Sequence, residues 1–245
     1  MRLEIYDIEP FQNFFNLIYD SATSIEMKLD QKKLSMALLN NSHICFYSIE
    51  YERAFFGDYE VDNVEHIIVD VEDFYKILKS ANKNDTLTLE SDDNYLTCKF
   101  EHNANRRVFE LPLIDEMNEN PVPPSIEYNG EFTVKLSDLK QPCVDLDKIV
   151  KTDKFKMKTG DYILKIISPS DSMTQYMQQI DIDSDIEATG VVNLNYILEL
   201  QKLSKISGNV LLKIDDNKPV SWNMESADGL IKASGLIAHV IEEEA

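Results

Sequence analysis

Near the midpoint of the 245 residues, positions 106–128 read RRVFELPLIDEMNENPVPPSIEY. The stretch opens as a strand, with Val108, Phe109, Leu111 and Leu113 among β-forming neighbours, and then loses all periodicity in an acidic, Asn- and Pro-rich run. Pro121, Pro123 and Pro124 cannot donate to a ladder and push their neighbours into extended conformations, so the run reads as an extended connector between two folded halves. The division expected is a first domain at residues 1–116, a connector at 117–128 and a second domain at 129–245.

The first half reads as a strand from Arg2, a helix introduced by Pro10 with Phe11, Phe14, Phe15, Ile18 and Ala22 at helical spacing, and short strands at 24–29, 33–38, 44–51 and 65–69. A second helix is expected over 71–81, and a hairpin at 85–100 turns around SDDN. The second half repeats the scheme, with a strand at 132–136, a helix near 139–150, several strands and a helix near 194–204. Sliding residues 69–89 onto 192–212, an ungapped offset of 123, brings Val71 onto Leu194, Phe74 onto Ile197, Ile77 onto Leu200 and Leu89 onto Leu212. The first helices match at an offset near 128, Phe11 onto Leu139, Phe15 onto Cys143 and Ile18 onto Leu146. The fold class expected is α+β: two similar domains, each with two helices packed on antiparallel sheets. Chance similarity of two amphipathic helices, each followed by a strand, is the competing account of the match.

Apolar residues make up 43% of the chain, enough to give each half a core. No apolar run reaches membrane-spanning length, and MRLEIYDIEP lacks the basic start and apolar block of a signal peptide. Cys45, Cys98 and Cys143 are odd in number and widely spaced, which fits a reduced, intracellular protein.

A net charge of −20 opposes binding of a polyanion on average, since nucleic-acid affinity comes from Lys and Arg neutralising phosphates. Screening over a Debye length of about 8 Å nevertheless lets one face be basic while another is acidic. At helical spacing Lys76, Lys79 and Lys83 oppose the apolar face of their helix, and Lys202 and Lys205 oppose Ile197 and Leu200. Lys140, Lys148 and Lys151 point away from Leu139, Leu146 and Ile149. A solvated helix face explains any one of these. Their recurrence at matching places in both halves favours a phosphate-facing surface.

Five segments, RRVFELPLID, NNSHICFYSIEY, VEDFYKILKSANKNDTLTL, DDNKPVSWNM and LIAHVIEEE, together resemble the proliferating cell nuclear antigen family of archaeal and eukaryotic DNA sliding clamps over essentially the whole chain. That resemblance implies the DNA-clamp fold, three subunits closing a ring, helices lining its hole, and sequence-independent contact with encircled double-stranded DNA. It puts inner-surface lysines at Lys76, Lys79 and Lys202, and with Lys83, Lys140, Lys148, Lys151 and Lys205 from the helical spacing these are the DNA-facing candidates. Subunits would join by strand addition, Val108, Phe109 and Leu111 of one meeting Thr174, Tyr176 and Gln178 of the next.

The resemblance also implies a pocket for short partner peptides, carried over onto Leu39, His43, Ile44, Phe46, Val122, Pro219, Leu236 and Ala238. For Ile44, Phe46 and Leu236 ordinary strand core is the competing reading, whereas Val122 has no evident core to join. Implied partners are DNA polymerase, an ATP-driven clamp loader and nuclease- or ligase-type enzymes, in the cytoplasm of an archaeon or virus-infected cell, or a eukaryotic nucleus. A homotrimer, one subunit of a heterotrimeric or checkpoint-type clamp, and an acidic peptide-binding scaffold that never surrounds DNA stay open as alternatives. Departures from the family pattern are Asn13, Asn16 and Asp20 on the outward face of the first helix, Pro142 near the start of the third, and Leu236 and His239 in the C-terminal segment.

Catalytic signatures, GxSxG, HExxH, GxxxxGK[ST] and GxGxxG, are absent, and seven glycines leave few places for a phosphate-cradling loop, so no enzyme activity and no cofactor are expected. Asp181, Asp183 and Asp185 imitate a calcium loop, but Ile186 and Val192 stand where its glycine and glutamate belong, and an acidic-faced strand is the better reading. His43 and Cys45 share one side of an expected strand without a second pair at zinc spacing, so no metal is expected.

Overall fold

The computed structural model describes residues 1–115 and 121–240, so part of the connector and the acidic end of the chain lie outside the described residues. In chain order the elements are β1 (Arg2–Ile5), α1 (Glu9–Ile18), β2 (Ser24–Leu29), β3 (Lys33–Leu39), β4 (Cys45–Glu52), β5 (Asp58–Glu60), β6 (Glu65–Asp70), α2 (Val71–Lys79), β7 (Thr86–Ser91), β8 (Tyr95–His102) and β9 (Asn105–Pro112). There follow β10 (Glu131–Lys135), α3 (Leu136–Asp145), β11 (Lys154–Gly160), β12 (Ile163–Ile167), β13 (Met177–Asp181), β14 (Ala188–Asn193), α4 (Leu194–Glu199), β15 (Asn209–Lys213), β16 (Val220–Glu225) and β17 (Ile231–Ile237). Two compact units result: Met1–His43, Tyr47–Val122 and Glu225–Ala233 form the first, and Ile44–Phe46, Pro123–Met224 and Ser234–Ala245 the second.

Unit 1 contains the sheet β5-β1-β7-β8-β9 and the run β4-β3-β2-β6; unit 2 contains the sheet β13-β12-β11-β14 and the run β10-β15-β16-β17. These are two copies of one topology. The order β1-β7-β8-β9 corresponds to β10-β15-β16-β17, and β4-β3-β2-β6 to β13-β12-β11-β14, while β5 has no counterpart. The offset of 123 carries β6 and α2 onto β14 and α4 residue for residue at their starts, and it carries the helix caps with them. Asp70 accepts from the backbone N–H of Asp73 (2.9 Å), and Asn193 accepts from that of Asn195 (2.9 Å).

The copies also end alike. In unit 1 the Ile114 N–H donates to the Ile68 carbonyl (3.0 Å); in unit 2 the Val240 N–H donates to the Val191 carbonyl (2.9 Å), and Val191 is Ile68 shifted by 123. The His239 ring Nδ1 accepts from the Val191 N–H (3.3 Å), so both backbone groups of Val191 are taken by the C-terminal segment. A side chain here does the work of a backbone acceptor.

Each core follows from the helix periodicity. In unit 1 Phe11 and Phe15 of α1 meet Phe74 of α2 with ring centroids 6.1 and 4.8 Å apart, both edge-on, the geometry favoured by ring quadrupoles. Their counterparts in unit 2, Leu139, Cys143 and Ile197, are at most 1% exposed, so an aliphatic core replaces an aromatic one in the same frame. All three cysteines are buried and none forms a disulfide, and burial pushes the thiols of Cys98 and Cys143 up to about 12.

Several boundaries differ from the sequence expectation. Helix α1 stops at Ile18 rather than Ala22. Helix α2 stops at Lys79, where the Ser80 hydroxyl donates to the Ile77 carbonyl (2.7 Å), leaving Lys83 in the following turn and off the helix face. Helix α3 starts three residues earlier than expected, so Pro142 sits inside it; the chain then widens into a single π turn over Leu146–Val150 and leaves at Lys151 with φ 61°. Ile149 is 63% exposed there and does not belong to the core face. Helix α4 tightens into a 3-10 turn, Leu200–Leu203, with Lys205 beyond it.

Candidate nucleic-acid interface

Of the expected DNA-facing lysines, Lys76 and Lys79 lie in the last turn of α2, Lys148 and Lys202 in the π and 3-10 turns that follow α3 and α4, and Lys140 in the middle of α3. Helix α2 has Asp70 as its cap, Glu72 and Asp73 in its first turn, and Lys76 and Lys79 in its last, an arrangement that also complements the helix macrodipole. Lys76 Nζ lies 2.7 Å from Glu72 Oε1 and 3.4 Å from Asp73 Oδ1, and the hydrogen bond to Glu72 holds its pKa above the ordinary lysine value. Lys79 Nζ stands 6.0 Å from the Tyr75 ring centroid. In unit 2 Lys202 bridges Glu199 (2.5 Å) one turn back, and Lys148 bridges the adjacent Asp147 (2.6 Å). Lys140, Lys151 and Lys205 are exposed. The lysines therefore face solvent, and three of them already share their charge with a carboxylate. Helix α1 carries no basic residue in its last turn; Asn13 and Asn16 lie off its buried face, and Asp20 falls in the turn after it rather than on the helix.

Two strands named as subunit edges are edges of their own sheets. β9 ends the order β5-β1-β7-β8-β9, and β13 ends β13-β12-β11-β14. On β9 Val108 is 50% exposed, Phe109 packs edge-on against Phe100 (6.0 Å), and Leu111 is buried. β13 begins only at Met177, so Thr174 and Tyr176 precede the strand while Gln178 is on it. Tyr176 is tied down: its N–H donates to Ser168 Oγ (2.9 Å) and its hydroxyl donates to Gln178 Oε1 (2.7 Å). Burial, with the nearby Asp145 charge, pushes that phenol up to about 12.

The residues named for partner peptides divide by exposure. Phe46 is buried on β4, as the core reading of that position has it, whereas Ile44 is 39% exposed just before the strand. Leu236 and Ala238 are half-buried, and the Ala238 N–H donates to the Ile44 carbonyl (2.8 Å). Close packing here needs Gly235, since a Cβ at that position would lie 2.3 Å from the Phe46 carbonyl oxygen and 2.5 Å from Trp222 Nε1. The half-buried Pro219 accepts from the Tyr128 hydroxyl (2.7 Å), and Lys218 Nζ donates to the Glu127 carbonyl (2.8 Å), fastening the end of the connector within unit 2. In unit 1 Leu39 ends β3, His43 occupies an exposed turn at φ 57°, and Val122 is 88% exposed.

That turn also separates His43 from Cys45, which is fully buried on β4, so the two do not form a ligand pair. Of the calcium-like aspartates, Asp181 closes β13 and Asp183 accepts from the Thr133 N–H (3.0 Å). No group of three or more His, Cys, Asp or Glu suited to a metal occurs among the described residues. None of the helices in the described residues is long and apolar enough to cross a membrane. Two features escape the sequence reading: the latch made by His239, and a row of lysines on β11 and β12 that the alternation KFKMK could have signalled.

The family model described as "Proliferating cell nuclear antigen, N-terminal domain" matches residues 7–119. The protein of Methanothermobacter thermautotrophicus named DNA polymerase sliding clamp is 30% identical over 244 residues, covering 99% of both chains. One of the same name from Methanobrevibacter smithii is 24% identical over 246 residues with 99% of both covered. Among solved structures, a PCNA2-PCNA3 complex of Sulfolobus tokodaii superposes with a TM-score of 0.87 at 22% identity, covering 99% of this chain and 100% of that one. PCNA of Thermococcus kodakaraensis gives 0.86 at 17% identity, covering 98% and 99%. With a duplicated α+β topology matched end to end and a whole-length relative at this identity, the chain belongs to the proliferating cell nuclear antigen family of DNA polymerase sliding clamps.

Proposed function

We propose that the protein is a DNA polymerase processivity clamp: subunits close into a ring around duplex DNA and tether polymerase and other replication or repair enzymes, with no catalytic step of their own. The observation that carries the reading is the whole-length likeness to a relative named DNA polymerase sliding clamp. The helix lysines give it a physical basis, because Lys76, Lys79, Lys140, Lys148 and Lys202 would offer point charges to phosphates, a contact that carries no sequence information. Lys83, Lys151 and Lys205, in the turns that follow those helices, are proposed for the same phosphate-facing role.

Ring closure is assigned to the two open edges, β9 of one subunit adding to β13 of the next, with three copies as the closing number. Val108 and Phe109 supply apolar contact at one edge, and Gln178 with the anchored Tyr176 frames the other. Partner enzymes are assigned to short peptides that bury aliphatic or aromatic anchors against Ile44, Pro219, Leu236 and Ala238 of unit 2. The test is topological: the protein is loaded on a nicked circular plasmid by an ATP-driven loader, the circle is cut, and retention is followed by gel filtration. Release on cutting is expected. Retention on the linear product refutes encirclement.

A further inference from the structure

The lysine row on β11 and β12 lies outside every role assigned above. On β11 Lys154, Lys156 and Lys158 alternate with Phe155, Met157 and Thr159, which are buried, and on β12 Lys165 lies between the buried Leu164 and Ile166. The four lysines therefore share one face of the unit 2 sheet, pointing away from its core. Lys158 and Lys165 are direct cross-strand partners. Like charges placed opposite each other on neighbouring strands repel. Among the described residues Lys154, Lys158 and Lys165 have no carboxylate partner, unlike Lys76, Lys148 and Lys202. A chain with a net charge of −20 thus keeps three lysines of this row, Lys154, Lys158 and Lys165, without a carboxylate among the described residues.

The same face carries Ile163 and Ile167 of β12, with Met177, paired to Ile167, 59% exposed on β13. Acidic groups bound the row at one end: Asp161 in the β11–β12 turn, Glu187 beside Gly160, and Asp181 opposite Ile163. We propose that this face is a docking surface for a short, extended acidic peptide of a partner protein, its carboxylates on Lys154, Lys158 and Lys165 and its aliphatic side chains on Ile163, Ile167 and Met177. Alternate residues of an extended peptide repeat at about 6.8 Å, the spacing at which Lys154, Lys156 and Lys158 follow one another. The flanking carboxylates, and the charge of the whole chain, oppose a long polyanion and leave room for a short one. None of these lysines is among those assigned to DNA, and the test does not depend on ring formation.

The probe is a fluorescently labelled octapeptide, Leu-Ser-Glu-Ser-Glu-Ser-Leu-Ser, whose Glu and Leu all fall on one face of an extended chain, titrated by anisotropy with the full chain at low and moderate salt, beside its analogue with Gln for Glu and a labelled dodecathymidylate. Expected results are binding of the Glu peptide that weakens with salt, and a loss of about tenfold or more both for the Gln analogue and for Lys154→Gln with Lys158→Gln and Lys165→Gln. Lys165→Glu alone converts a repulsive pair with Lys158 into an attractive one, so it raises the thermal midpoint while lowering peptide affinity. That opposite movement separates loss of a site from loss of fold. Failure of the Glu peptide to bind, unchanged affinity in the triple variant, or dodecathymidylate displacing the peptide through these same lysines overturns the proposal.

Discussion

Replacing Lys76, Lys79 and Lys202 by Ala tests the helix-end surface quantitatively, because the three differ in how they are held. Each phosphate neutralised by a lysine contributes about 0.9 to the slope of log affinity against log salt on duplex DNA. If all three lysines meet phosphates, the triple variant loses about 2.7 from that slope, and a fourfold rise in salt then weakens the parent about 40-fold more than the variant. Lys76 and Lys202, however, sit 2.7 and 2.5 Å from Glu72 and Glu199. Solvent screens such exposed pairs, so pulling them apart costs little and a phosphate contact offsets it; the full loss is expected. Were the carboxylates to hold their lysines, only Lys79 would count and the slope would fall by about 0.9. The assay is fluorescence anisotropy of a short labelled duplex across salt, with partner-peptide affinity measured in parallel. An unchanged slope with unchanged folding refutes a phosphate-facing role for these helices; equal loss of peptide binding would mark misfolding instead.

Phe74→Ala removes a fully buried ring that touches Phe11 and Phe15, and should cost unit 1 about 3–5 kcal/mol in urea unfolding; less than about 1 kcal/mol would deny the aromatic cluster its role. Gly235→Ala places a methyl group on the Phe46 carbonyl and the Trp222 ring, and should lower the thermal midpoint of unit 2 by several degrees. Val108→Asp on β9 should shift the protein in sedimentation from a trimer to a monomer, and a wild-type monomer would remove the edge-strand closure. The Tyr128 phenol, pushed up to about 12 by burial and then by the Asp215 charge, stays protonated in the fold after it would ionise in the unfolded chain. Its stabilising contribution is complete below pH 10 and is lost as pH rises to about 12, so Tyr128→Phe should flatten the stability profile in that window.

The α2 and α4 repeat is readable because its apolar positions recur without a gap, and the caps Asp70 and Asn193 sit at the same offset. Two-sheet order is not readable, since pairing is set by contacts distant in sequence. β5 escapes because three residues carry no period. The α3 start is hidden because β10 passes directly into the helix, Lys135 serving as the cap without a side-chain bond. Lys83 keeps helical spacing in the sequence, yet the helix closes at Lys79, where Ser80 bonds back to the Ile77 carbonyl, and the chain turns away before Lys83. For the site, spacing fixes which lysines leave the core but not which carboxylates they meet. The cationic row on β11 alternates as openly as any strand, but a net charge of −20 averages it away.

The burial of every cysteine has a practical side. With the thiols of Cys98 and Cys143 displaced to about 12 and Cys45 fully enclosed, the folded chain should present almost no thiolate to maleimides or nitroxide reagents at neutral pH. A single cysteine introduced at an exposed position such as Val122, Val108 or Lys158 would then be the one reactive handle. Distance measurements between labelled copies could follow assembly, peptide docking and passage along DNA without first stripping the natural sulfur from the core.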